Sequence, residues 1–384
     1  MGRTKIQQVF DKAWDRYAAS CHPSVEQMKT ANAIIRCKTR DMGCNVSVCD
    51  ECGHTETHFN SCRNRNCPNC QAILKELWVD KRRAEVIDAP YYHVVFTIPH
   101  DLNSLVYCNQ ELLYSLMHKA TSDTLIQLSR TRKNLGFTPG IIQVLHTWGQ
   151  NLSYHPHIHC IISGGGLTPC GKLRKVNGKF FLPVRVMRDL FKGKFLDALK
   201  ALNSKGSLVF AGACSKFSVP DEWRRLINSL YERDWCPFIK ETFNGFGNAI
   251  EYLGRYTHRI AISNSRILSV TDDDVCFSAF DYKTRTRHTV TLNNTEFIRR
   301  FMMHVLPKGF QKIRYFGFLN NRYRVENLKK IFRLQGYQKF RARLQGLSMS
   351  ELLAKVWKID VTTCRCCGCI DSMKPFGRTF ALRC

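Results

Sequence analysis

The stretch YHPHIHCIISGGG, residues 154–166, decides how the middle of this chain folds. A run of apolar and β-branched residues, opened by Pro156 and closed by three glycines, reads as a buried strand. Side chains alternate across a strand, so His155, His157 and His159 share one face while Ile158 turns into the core behind them. Imidazoles two residues apart on a strand can chelate one divalent ion, which makes His157 and His159 candidate ligands. The third ligand stays open. His155 is in the right phase, and His146 on the preceding strand lies across a hairpin. Pro156 is tolerated at a strand start, and Gly164 to Gly166 are expected to end the strand and leave room for a backbone or ligand to approach.

Working outward, YYHVVFTIP (91–99) and GIIQVLHTWG (140–149) read as further strands, with helical sequence between them to about Asn134. A hairpin is expected over Lys172 to Val184, turning at Asn177-Gly178. Helical periodicity follows at 185–202, 222–235 and 248–259. Strands return at 259–263, 266–271, 274–282 and 287–292, and a last core helix starts after Asn294 as its N-cap. The pattern predicts an α/β chain of the α+β kind, an antiparallel sheet flanked by helices behind a small zinc-binding domain. The expected division is a helical and zinc-binding domain at 1–85, a catalytic domain at 86–320, and a basic tail with a cysteine cluster at 321–384. An amphipathic helix carrying Val9, Phe10, Trp14 and Tyr17 opens the first of these.

Cys49-Asp-Glu-Cys52 and Cys67-Pro-Asn-Cys70 are two C-x-x-C knuckles separated by 14 residues, a spacing suited to one tetrahedral Zn²⁺. Four protein ligands leave no open position, so such a zinc is structural. Cys37, Cys44, Cys62, His54 and His58 lie in the same stretch and could supply a second site or replace a ligand. Arg63 and Arg65 flank the second knuckle and are candidate phosphate contacts. In the tail, Cys364, Cys366, Cys367 and Cys369 crowd together with only Cys384 beyond them. A second two-knuckle ribbon is therefore incomplete there, which is what a truncated or frameshifted tail would give. Zinc shared by Cys364, Cys367 and other ligands stands against free thiols on a frayed end.

Tyr252 and Tyr256 in the sequence IEYLGRYTHR sit four residues apart, which puts both phenols about 40° apart on one helix face, beside Arg255 and Arg259. A phenol ionises near pH 10 and is a poor nucleophile at neutral pH without a cation or base beside it. A metal on His157 and His159 would act as that Lewis acid on a scissile phosphate while a tyrosine attacks in line. Further along, Lys308, Lys312 and Arg314 are interleaved with Phe310, Tyr315 and Phe316, a pattern suited to phosphate contacts and base stacking on a single strand.

Composition agrees with a polyanionic partner. Lys and Arg number 58 against 31 Asp and Glu, a formal charge of +27 over 384 residues. The amino terminus lacks the apolar core of a signal peptide, so the 19 cysteines are expected to be reduced and the protein cytoplasmic. No apolar run reaches the roughly 20 residues needed to cross a bilayer, so no membrane partner is expected. The segment Gly166 to Lys172 mimics a phosphate-binding loop, but Leu173 stands where Ser or Thr is needed, which excludes an ATPase.

The motifs YHPHIHCIISGGG, YLGRYTHRIAIS and HVLPKGFQKIRYFGF, with NSCRNRNCPNCQ ahead of them, resemble the two-tyrosine HUH transposases of rolling-circle insertion sequences and their front zinc-binding domain. The resemblance spans roughly Cys37 to Arg322. It implies an HUH endonuclease core, Mg²⁺ or Mn²⁺ on the His-hydrophobe-His pair, and paired nucleophiles at Tyr252 and Tyr256. It also implies 5'-phosphotyrosine intermediates on single-stranded element ends and target DNA, with unwinding by host helicase or replication factors. A plasmid replication initiator or relaxase shares this chemistry but lacks the front zinc domain. A non-enzymatic zinc-ribbon regulator would not need either tyrosine, and a zinc hydrolase would need a general base that the histidine strand does not supply.

Overall fold

A computed structural model of the protein describes residues 3–131, 135–176, 182–235, 238–242, 254, 260–281, 284–336 and 342–379, with the backbone alone at 240–242. Its architecture is α+β with antiparallel sheets. The chain divides into two compact units that are interleaved along the sequence. One comprises Met1–Lys81, His258–Val305 and Ala342–Cys384, and the other Arg82–Thr257 and Leu306–Arg341. The expected division into three consecutive domains at 85 and 320 is thus replaced by two discontinuous units. Local patterning marks elements well but carries no signal for which distant elements share a core.

The second unit is built on a sheet ordered Ile313–Gly317, Thr138–Trp148, Tyr154–Leu167, Tyr91–Thr97 and Phe238–Thr242, every neighbour antiparallel. Leu173–Lys175 pairs back onto Gly165–Leu167. One face packs on the helices Gln110–Arg130, Val184–Ser204 and Pro220–Glu232. Phe96, Ile141, Leu145, Ile158, Cys160 and Ile162 point into that core with Tyr114, Phe191, Phe195 and Trp235. The period of two then forces His93, His146, His157 and His159 onto the opposite face. The central strand does not end at its glycines but runs on to Leu167. A Cβ on Gly166 would stand 2.1 Å from the Thr138 carbonyl oxygen, so the glycine is there for a close backbone approach within the ladder. Gly317 answers the same need on the edge strand, at φ +63° with its Cβ position 1.7 Å from the Pro139 carbonyl oxygen. The expected hairpin tip at Asn177-Gly178 and the helix expected at 248–259, Gly254 apart, lie outside the described residues.

The first unit opens with the helices Lys5–Cys21 and Val25–Arg36. Val9, Phe10, Trp14 and Tyr17 are buried on the first of them, as the apolar stripe required. Phe10 meets Phe301 edge to face at 5.5 Å, so this helix packs on Asn294–Met302. The cap of that helix is Asn293, whose side chain accepts from the Thr295 N–H at 3.0 Å. Asn294, the cap expected from sequence, is buried and donates instead to the Thr271 and Asp272 carbonyls. A three-stranded sheet joins Ile267–Val270, Asp274–Asp281 and Thr286–Asn293. Ala261 and Ile262 are buried but form no strand, because an apolar run without a ladder partner satisfies burial alone. A second sheet joins Met373–Arg378, Cys44–Cys49 and Thr55–Phe59. The expected tail is therefore structured, with helices Arg324–Gln335 and Met349–Trp357 ahead of that last strand. Among the described residues no helix is long and apolar enough to cross a membrane.

Candidate metal centres and the family they mark

Three imidazoles converge on the face of the central sheet opposite its helix-packed core. His146, His157 and His159 offer ligand nitrogens that all lie within 4.8 Å of one another. His146 stands directly across the strand pair from His157, and His159 follows two residues along the same face. The Nε2 atoms of His157 and His159 are 3.1 Å apart. The His157 Nδ1–H donates to the His155 carbonyl at 2.7 Å, which leaves Nε2 as the lone-pair nitrogen turned toward the cluster. Burial pushes the His157 imidazole down to about 4, so it is neutral and ligand-competent at neutral pH. The donor set fits a divalent cation.

Of the two open choices for a third ligand, the geometry brings in His146 and leaves out His155. His155 is in phase, but its hydrogen bond to His157 is made by its backbone carbonyl, which orients that ring. The His155 ring stands 5.2 Å from that of His157, no farther than His146 at 5.5 Å, but His146 also reaches His159 at 4.5 Å, whereas His155 lies four residues from His159 along the same strand. Sequence reading missed His93. Its Nε2 lies 2.9 Å from His159 Nδ1, and it occupies the face-matching position in YYHVVFT on the neighbouring strand. The period of two, applied across both neighbours of the histidine strand, would have found it. Trp148 stacks on His146 at 4.5 Å, and Lys312 Nζ lies 4.8 Å from the Trp148 ring centre.

The cysteines form two clusters rather than the single site expected from the two knuckles. Cys67 and Cys70 join Cys37 and Cys62, while Cys49 and Cys52 join Cys364 and Cys367. Spacing alone treated the knuckles as one pair. The helix Val25–Arg36 instead delivers Cys37 to the second knuckle, and the strand Cys44–Cys49 carries the first knuckle away from it. In the first cluster Cys70 Sγ is 3.4 Å from Cys37 Sγ and 3.5 Å from Cys62 Sγ, far beyond the disulfide bond length of about 2.05 Å. Hydrogen bonds from Cys37, Cys62 and Cys67 draw the Cys70 thiol well below its ordinary range, and the same crowding pushes Cys67 up. All four can be thiolates together only around a divalent cation. Cys44, His54 and His58 belong to neither cluster. Cys44 Sγ approaches Thr379 Oγ1 at 3.2 Å, and both histidines face Glu56.

These features coincide with what comparison finds. Residues 140–329 match the family described as "Putative transposase", and residues 9–98 match "Transposase zinc-binding domain" of the IS91 type. The chain is 41% identical over 336 residues to the "Putative transposase y4qJ" of Sinorhizobium fredii (strain NBRC 101917 / NGR234), covering 86% of this chain and 84% of that protein. The chain belongs to the IS91-type insertion-sequence transposases. Its similarity to the "Transposase for insertion sequence element IS801" of Pseudomonas savastanoi pv. phaseolicola is 31% over 314 residues, with 80% of this chain and 73% of that protein covered. No solved structure matches.

A transposase of this family cuts and transfers DNA strands, so the basic residues singled out from sequence gain a context. Arg63 and Arg65 are exposed, and Arg63 adopts a left-handed φ of 54°. Lys308 is exposed. Arg314 is held by the protein itself, donating to Ser115 Oγ at 3.0 Å with its guanidinium 5.0 Å from the Phe310 ring centre. Phe310 is a buried core residue, not a stacking platform. Tyr252, Tyr256, Arg255 and Arg259 lie outside the described residues.

Proposed function

We propose that this transposase cleaves and rejoins single-stranded DNA at its element's ends and target through 5'-phosphotyrosine intermediates, as in rolling-circle transposition. The observation that carries the reading is the convergence of His146, His157 and His159 on one sheet face in a chain of this family. His146, His157 and His159 would hold a divalent cation, which would supply Lewis-acid charge to a scissile phosphate. Tyr252 or Tyr256 attacks the phosphorus in line, forming the P–O(Tyr) bond as the P–O3' bond breaks and the 3' oxygen leaves with a proton. The phosphodiester energy is kept in the tyrosyl ester for rejoining. Arg255 and Arg259 neutralise the phosphate as the phenol attacks. An all-imidazole ligand set favours Mn²⁺ over Mg²⁺, since Mg²⁺ prefers oxygen ligands. Strand opening falls to host helicase or replication factors, because the chain has no ATPase motif.

The test is incubation of the purified protein with Mn²⁺ and labelled single-stranded oligonucleotides from the element's ends. A denaturation-resistant protein-DNA adduct is expected, retained in either single Tyr→Phe variant and lost in Tyr252→Phe/Tyr256→Phe. An adduct that survives the double variant would falsify the assignment of nucleophiles. Tight, metal-independent DNA binding with no adduct would favour a non-enzymatic regulator.

A further inference from the structure

Segments from both ends of the chain meet in one three-stranded sheet, where Met373–Arg378 pairs antiparallel with Cys44–Cys49 and the latter pairs with Thr55–Phe59. A loop on each side carries the same short pattern, Cys49-Asp-Glu-Cys52-Gly53 and Cys364-Arg-Cys-Cys367-Gly368. The two backbones fold alike. The Gly53 N–H donates to the Cys49 carbonyl at 3.0 Å, and the Gly368 N–H to the Cys364 carbonyl at 2.9 Å. The Cys49 N–H donates five residues ahead to the His54 carbonyl at 2.8 Å, and the Cys364 N–H does the same to Cys369 at 3.0 Å. Both glycines stand in the left-handed region, at φ 71° and 75°, where any side chain would be strained. Two equivalent knuckles are thus supplied by opposite ends of the sequence.

Their sulfurs meet. Cys49 Sγ lies 3.7 Å from Cys367 Sγ across 318 residues, and Cys52 Sγ lies 3.7 Å from Cys364 Sγ across 312. All four sulfurs fall within 4.8 Å of one another. Tetrahedral Zn²⁺ with bonds of about 2.3 Å sets its sulfurs about 3.8 Å apart, which these separations match and a disulfide at about 2.05 Å does not. The Cys366 N–H also points at Cys364 Sγ from 3.4 Å. We propose that Cys49, Cys52, Cys364 and Cys367 hold a second structural Zn²⁺, closing a zinc ribbon whose two knuckles come from opposite ends of the chain. The site is separate from Cys37, Cys62, Cys67 and Cys70, and four protein thiolates leave it no catalytic position. Its consequence is that the carboxy-terminal segment is a structural part of the amino-terminal domain.

Exposure makes the site testable without a mutation. Cys52, Cys366 and Cys367 are all exposed, so burial alone protects none of them from alkylation. In the zinc-loaded full-length protein, iodoacetamide is expected to label Cys366 readily while sparing Cys52 and Cys367, and all three are expected to react alike after a strong chelator strips the metal. Peptide mass spectrometry reads the difference. Elemental analysis of purified protein is expected to find one zinc equivalent less in Cys364→Ser/Cys367→Ser and in Cys49→Ser/Cys52→Ser than in the parent, and no change in Cys366→Ser. Equal labelling of Cys52, Cys366 and Cys367 in the loaded parent overturns the proposal, as does a tail variant that keeps the parent's zinc. Should the double variants unfold, the labelling pattern of the parent decides. Neither readout depends on DNA cleavage, so the ribbon stands or falls apart from the proposed chemistry.

Discussion

His93 and His159 face each other edge to edge, with His93 Nε2 2.9 Å from His159 Nδ1 and their ring planes 5° apart. For His159 to turn a lone pair on Nε2 toward His157, its Nδ1 must carry the proton and His93 must accept it. His93 would then be a positioning residue for a metal bound at this cluster, fixing both tautomer and ring angle. His93→Ala is expected to weaken Mn²⁺ binding by roughly 10–100-fold, the usual cost of losing such a partner. Titration of Mn²⁺ by isothermal calorimetry checks this, with His93→Gln, which keeps an acceptor, recovering part of the affinity. An unchanged Mn²⁺ affinity in His93→Ala would show that His159 needs no such partner.

The third ligand can be decided by a pair of variants. His146 supplies a ring nitrogen to the cluster, whereas the hydrogen bond that His155 makes with His157 is through its backbone carbonyl. His146→Ala is expected to abolish Mn²⁺-dependent adduct formation, while His155→Ala keeps the carbonyl and stays within a few-fold of the parent. The reverse ranking would reinstate His155.

Why His146 was only one of two choices in the sequence, and His93 none, follows from what periodicity carries. Alternation in YHPHIHCII specifies a face, and that face holds in the structure, with Ile158, Cys160 and Ile162 in the core. Strand order and register are set by long-range pairing, so the neighbours of His157 and His159 were not legible from spacing. The cysteines make the same point more sharply. Two knuckles 14 residues apart look like one site, yet the chain folds so that the partner of Cys49 is Cys367. Nothing local in Cys364-Arg-Cys-Cys367 says that its other half lies near the amino terminus. The helix stripe of Val9, Phe10, Trp14 and Tyr17 was legible because its burial is set within one element.

Stability is expected to depend on pH through His118. Burial beneath the sheet pushes its imidazole down to about 3, and its Nδ1 lies 2.7 Å from the Gln143 side-chain amide. An unfolded histidine takes up a proton near pH 6.5, but the folded one resists until about 3. Between these values the unfolded state binds more protons, so the stabilisation is complete above 6.5 and is lost as pH falls toward 3. One such group contributes at most about 1.4 kcal/mol per pH unit. Denaturant melts at several pH values should give the parent a steeper loss over this window than His118→Gln, which cannot titrate. Parallel curves would mean that His118 takes up its proton at the same pH in the fold as in the unfolded chain.

The last prediction concerns a buried ion pair. Arg82 has a side chain only 3% exposed and pairs with Glu85 at 2.9 Å, while Arg324 approaches the other oxygen of the same carboxylate at 3.6 Å. The two guanidiniums also lie 4.9 and 5.6 Å from the centre of one ring, Tyr315. Glu85 thus faces two guanidiniums, one of them almost out of water. Removing that anion leaves Arg82 desolvated beside a like charge, which costs about 3–5 kcal/mol for a buried pair broken on one side. Glu85→Gln is expected to lose most of this, since shape is kept and charge is not. Arg82→Met/Glu85→Leu removes the buried charge along with its partner and is expected to recover most of the loss, because hydrophobic replacements of similar volume avoid the desolvation of both ions. Chemical denaturation of the three proteins measures the differences. A double variant no more stable than Glu85→Gln would mean that the pair holds the fold by its packing, not by balancing a buried charge.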